Sequence, residues 1–147
     1  MRWDRCALLW ATFAMTPLVA WADDNAKEME KFAGKWSVVG MESGGKSLDA
    51  DDAKQLALVI KGKDYEVQQG GVTIDKGTLK LDAAKKPKTI DVMPSMGPNA
   101  GKTIPAIYEF KGEELRICYD LSAKDRPTEF KTKEGTSLLL LTYKKAN

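Results

Sequence analysis

The stretch Gly97-Pro98-Asn99-Ala100-Gly101-Lys102-Thr103 sets a lysine and a hydroxyl after two glycines, the parts with which a nucleotide-binding loop cradles phosphate. Its spacing is wrong for that chemistry: three residues separate Gly97 from Gly101, where the G-x-x-x-x-G-K-[ST] loop has four. A phosphate loop must also open a helix whose N–H groups face the anion. Here Thr103-Ile104-Pro105-Ala106-Ile107-Tyr108 follows and reads as a strand, and Pro105 would break a helix begun there. The stretch is therefore read as a connection between two strands, shaped by Pro94, Gly97, Pro98 and Gly101.

The other reactive residue types fare no better. The chain has no histidine, which removes His-based triads, most zinc sites and a proximal haem ligand. Cys118 lacks the histidine base a catalytic cysteine needs and is expected to be a buried thiol. Asp49, Asp51 and Asp52 lack the glycine and glutamate of a calcium loop and suit the start of a short helix. Glu109, Glu113, Glu114 and Glu129 offer carboxylates for acid–base work, but no spacing pairs them. The expectation is a protein that acts without catalysis, cofactor or metal.

The 147 residues suit one domain. Lys and Arg number 23 against 21 Asp and Glu, and the charges are scattered, so no basic stripe points to nucleic acid. A hydrophobic share of 43% is enough for a real core. Residues 1–22 read as an export signal. Arg2 and Arg5 precede the apolar run Ala7–Val19, and Ala20-Trp21-Ala22 has the form that signal peptidases cut. The run is too short for a membrane span. Cleavage there would remove Cys6 and leave Cys118 alone, so no internal disulfide could form. The expected location is outside the cytoplasm, periplasmic or extracellular, with no stable membrane span after cleavage.

Downstream, residues 23–31 read as a polar, helix-tolerant lead-in and 32–145 as the folded domain. Its hydrophobic period is two. Strands are expected at Trp36–Val39, Leu56–Ile60, Tyr65–Gln68, Val72–Leu81, Thr89–Met93, Thr103–Phe110, Leu115–Tyr119 and Leu138–Tyr143, with a helical turn over Leu48–Lys54 and a bulge at Gly77. Eight short antiparallel strands with close turn signals predict an all-β, up-and-down β-barrel, which has no free edge and has room for one small ligand. Alternation puts Leu115, Ile117 and Tyr119 on one face, with Arg116 and Cys118 on the other. Ile104, Ala106, Tyr108 and Phe110 share a face of the preceding strand. Turned inward, Tyr108 and Tyr119 would line a cavity with polar tips; a filled core is the other outcome.

Gly34-Lys35-Trp36 on the first strand resembles the G-x-W signature of lipocalin and wider calycin barrels. Asp64-Tyr65-Glu66-Val67, Lys76–Asp82, Lys85–Asp91, Gly97–Thr103, Ile107-Tyr108-Glu109 and Arg126-Pro127-Thr128-Glu129-Phe130 follow in an order similar to that of the uncharacterised lipocalin-like domain family abundant in planctomycete bacteria. The likeness covers about Phe32 to Lys145 and implies a lipocalin-like fold, but that family has no established activity. It further implies that Trp36 plugs the closed barrel end beneath an arginine, for which Arg116 and Arg126 both remain open. The interior ligand-binding set expected is Trp36, Tyr108, Arg116, Tyr119 and Arg126. The expected partner is a small apolar molecule. The alternative is an envelope interaction or structural module with a filled barrel, contacting a protein through loops 93–102 and 122–135.

Overall fold

The structure, a computed structural model, describes residues 19–146. Most of the expected export signal, with Cys6, lies outside the described residues. Helix α1 (Val19–Phe32) leads into β1 (Gly34–Ser43), the short β2 (Lys46–Leu48) and the single helical turn α2 (Ala50–Ala53). Seven strands follow: β3 (Leu56–Lys61), β4 (Asp64–Gln69), β5 (Val72–Asp82), β6 (Lys88–Met96), β7 (Ile104–Lys111), β8 (Glu114–Asp120) and β9 (Leu138–Lys145). Each pairs antiparallel with the next, and β9 returns to β1 in a ladder from Trp36↔Lys145 to Ser43↔Leu139. β1, β3 and their successors thus form a closed eight-stranded antiparallel barrel, as the alternation predicts. β2 adds only to the far half of β1, where Met41 faces Leu48.

Period two sorts each strand between interior and exterior. Trp36 and Val38 of β1, Leu58 and Ile60 of β3, and Leu79 and Leu81 of β5 are buried in one core cluster. So are Ile90 and Val92 of β6, the β7 set Ile104, Ala106 and Tyr108, and Leu115 and Ile117 of β8. Burying each large side chain contributes about 1.5–3 kcal/mol, and this interior is what holds the sheet closed. Three register irregularities tune the curvature, one of them in the β4–β5 ladder between Val67 and Gln68. The β1–β9 register slips between Val38 and Gly40, turning Val39 outward. The β5–β6 register slips at Gly77, where an added Cβ would overlap the Met93 carbonyl oxygen and lie 2.8 Å from Pro94 Cα.

Residues 23–31, read as a helix-tolerant lead-in, belong to α1, which docks as a plug on the barrel end. Asn25, Glu28, Met29 and Phe32 stand at i, i+3, i+4 and i+7, one helical face. Phe32 is fully buried, packing edge-on against Tyr108 (4.9 Å between centroids) and Phe110 (5.0 Å). Asn25 Oδ1 accepts the Ala83 amide across 2.9 Å, tying the helix to the β5–β6 turn. The docking face carries two polar residues, and this is why apolar periodicity alone does not reveal it. At the start of α2, Asp49 Oδ1 accepts the Asp51 N–H, the capping role its residue type suits.

Candidate ligand cavity in the barrel

The barrel is closed at the end where β1 begins and open toward the β6–β7 and β8–β9 connections. At the closed end, the Trp36 indole Nε1 donates to the Phe32 carbonyl at 2.8 Å. The cation over its ring is Lys145, with Nζ 5.3 Å from the centroid. The expected arginine is therefore corrected. Trp36 faces Lys145 in the β1–β9 ladder, so closure of the barrel brings the lysine there.

Tyr108 lies at this end too, and its hydroxyl donates to Glu28 at 3.2 Å. Glu28 also takes Lys88 (2.8 Å) and Lys31 (2.9 Å). Burial works to raise the Glu28 pKa, but the hydrogen bonds from Lys88 and Lys31 and their charges outweigh it and hold it below 4.5. Burial and the Glu28 carboxylate push the Tyr108 phenol upward, so it stays a neutral donor.

Above the plug the interior is not filled. A cavity of about 150 Å³ lies among β3 to β9, floored by aliphatic side chains such as Leu79, Ile90, Val92, Ile117 and Leu141, with Asn99 and Leu121 at its rim. Polar groups gather on its wall. The Tyr65 hydroxyl donates to Asp75 Oδ1 at 3.2 Å, and the Tyr119 and Tyr143 hydroxyls share a bond of 3.0 Å. Burial pushes all three phenols up, with Asp75 adding to the effect on Tyr65 and Tyr119. Burial also raises Asp75, and the Tyr65 hydrogen bond only partly offsets it. Among the described residues, no lysine or arginine forms an ion pair with this carboxyl.

Of the five residues expected inside, only Tyr119 lines the cavity. Trp36 and Tyr108 belong to the plugged end. Arg116 is on the outer wall, paired with Glu109 at 2.9 Å and lying 5.6 Å from the centre of the Phe130 ring. Arg126 is outside as well, donating to the carbonyls of Ala106 (2.8 Å) and Ile90 (3.3 Å) and pairing with Asp91 (2.5 Å). The residues missed are Tyr65, Asp75 and Tyr143. The signal for Asp75 and Tyr143 is present: Asp75, Gly77, Leu79 and Leu81 keep strict alternation on β5, as Leu139, Leu141 and Tyr143 do on β9.

The β8–β9 connection is not free. It straps the outer wall, from Arg126 at Asp91 to Thr132, whose N–H and hydroxyl both donate to Glu42 Oε1 (3.1 and 2.8 Å). Asp120 anchors its start, accepting from Ser122, Lys124 and Asp125. Beneath the strap Ile107, Cys118 and Leu140 form a second apolar cluster with Phe130. Cys118 is fully buried there, as expected, and burial pushes its thiol up to about 11. The Gly97–Thr103 stretch links β6 to β7, as read from its spacing. Gly97 and Gly101 take positive φ (91° and 82°), and Gly101 N–H returns to the Pro94 carbonyl at 3.0 Å. Among the described residues, no helix is long and apolar enough to cross a membrane.

Comparison of the chain with known protein families, with curated proteins and with solved structures finds no match.

Proposed function

We propose that this chain is an exported, lipocalin-like barrel, periplasmic or extracellular, that binds a small, mainly apolar molecule inside the barrel without catalysis. The observation that carries the reading is the unfilled space between the plugged end and the rim, about 150 Å³ with a mainly aliphatic floor. Well-packed interiors leave few voids larger than a water molecule, so a space of this size is a feature of the fold. Pockets for drug-sized ligands run to about 300–1,000 Å³, whereas an apolar cavity of about 150 Å³ takes a benzene-sized guest. The ligand is accordingly a single ring or a short chain. For so few atoms the affinity is on the order of 0.1–1 mM.

Calorimetric titration with toluene tests this. Saturable binding to the wild type is expected, with loss in Val67→Phe, which places a ring in the space. Absence of binding by the wild type overturns the reading. A second reading, an envelope interaction module, draws support from Val72, Ile74 and Met96, exposed apolar side chains at the open end of β5 and β6. Loop 93–102 contributes Met96 to that surface.

A further inference from the structure

The cavity wall has a polar side whose composition narrows the ligand class. Of the side chains lining the space, Asp75 is the one that carries a full charge when ionised, since phenols are neutral at neutral pH and burial only pushes these three higher. The donor and acceptor inventory is lopsided. The Tyr65 proton is committed to Asp75, and one of the two protons of Tyr119 and Tyr143 is committed to the other oxygen. A single hydroxyl proton and the Asn99 amide at the rim are left to donate. Against them stand three phenol oxygens and a carboxyl group able to accept.

We propose that the guest is a small organic ammonium, a primary amine on a single ring or short alkyl group, with its N–H donors at Asp75 and the Tyr65, Tyr119 and Tyr143 hydroxyls and its apolar part on the Ile90–Val92–Ile117 floor. This rests on the reading of the barrel interior as a ligand site. An ammonium supplies the positive charge the carboxyl lacks and N–H donors on the side where acceptors outnumber them, and charge-assisted bonds of this kind are the strong ones. Tyrosine rings around a cation add favourable quadrupole contacts. An anionic guest would meet Asp75 with no compensating cation, and a purely apolar one would leave the carboxyl desolvated and unpaired. The elevated pKa of Asp75 is consistent with a carboxyl awaiting such a partner.

The test is calorimetric titration of the full chain at neutral pH with benzylamine, benzyl alcohol and toluene, which share a ring and differ in the head group. Benzylamine is expected to bind about tenfold or more tighter than either neutral compound. Asp75→Asn is expected to erase that preference while toluene still binds. If toluene binds and benzylamine is no tighter than benzyl alcohol, the ammonium assignment fails and the interior site stands. If toluene does not bind, the interior site fails as an apolar space, and the ammonium assignment that rests on it fails too. An amine preference that survives Asp75→Asn also overturns the assignment. The wild-type comparison needs no variant and decides the matter even if Asp75→Asn does not fold.

Discussion

The indole of Trp36 donates to the carbonyl of Phe32 at 2.8 Å, so one hydrogen bond joins the first barrel strand to the helix that plugs its end. Trp36 is buried, and the Phe110 ring lies 6.3 Å from it, centroid to centroid. Trp36→Ala is expected to cost about 3–5 kcal/mol, the loss typical of a large aromatic deleted from a core. Trp36→Phe keeps a ring but orphans the Phe32 carbonyl, costing about 1–3 kcal/mol. Denaturant unfolding monitored by circular dichroism would measure both, and a midpoint unchanged in Trp36→Ala would contradict this placement.

Glu28 is the polar counterpart of that plug. Its folded pKa lies below 4.5, so its contribution to stability is fully present above that value and is lost as pH falls through the folded value. Glu28→Gln is expected to lower stability at neutral pH by about 1–3 kcal/mol, since the bonds from Lys88 and Lys31 lose their ionised acceptor. The gap between variant and wild type should close in acid. Melting curves that stay equally far apart at neutral and strongly acid pH would refute the assignment.

Asp75 runs in the opposite sense. Its pKa is raised above 3.8, so the ionised form weakens the unliganded fold; that penalty is lost as pH falls through the raised folded value and is gone below 3.8. Asp75→Asn is expected to melt at a higher temperature than the wild type at neutral pH, with the advantage vanishing in acid. A residue that costs the empty barrel stability is what a binding site would retain. Scanning calorimetry across pH is the check; a variant less stable than the wild type at neutral pH would show that Asp75 is a structural group.

Gly77 is set by space rather than by φ. A methyl there meets the Met93 carbonyl and Pro94 backbone of the neighbouring strand. Gly77→Ala is expected to cost about 1–3 kcal/mol by forcing β5 and β6 apart. The shift should appear as faster amide exchange around Pro94, and native exchange rates would show that the bulge has slack.

Much of the barrel was legible in period two. The eight strands fell where alternation and turn residues put them, and Arg116 was already opposite Leu115 and Ile117. What failed were the relationships that closure creates. Lys145 reaches Trp36 because the last strand pairs with the first, a neighbour invisible along the chain. An arginine was expected there, and both candidates, Arg116 and Arg126, instead hold the outer wall. α1 escaped because Asn25 and Glu28 dock through hydrogen bonds, which hydrophobic patterning cannot register. Asp75 escapes hydrophobic patterning because a carboxyl at an inward position breaks the apolar rule, and that break is itself the mark of a candidate site.

The most direct test of a ligand space inside this barrel is methyl NMR of the full chain during titration with toluene. The expected result is saturable shifts at Val92, Ile117 and Leu141, which line the cavity, with Ile107 and Leu140 of the outer cluster unmoved. Silent interior methyls, or shifts confined to the outer cluster, would contradict it.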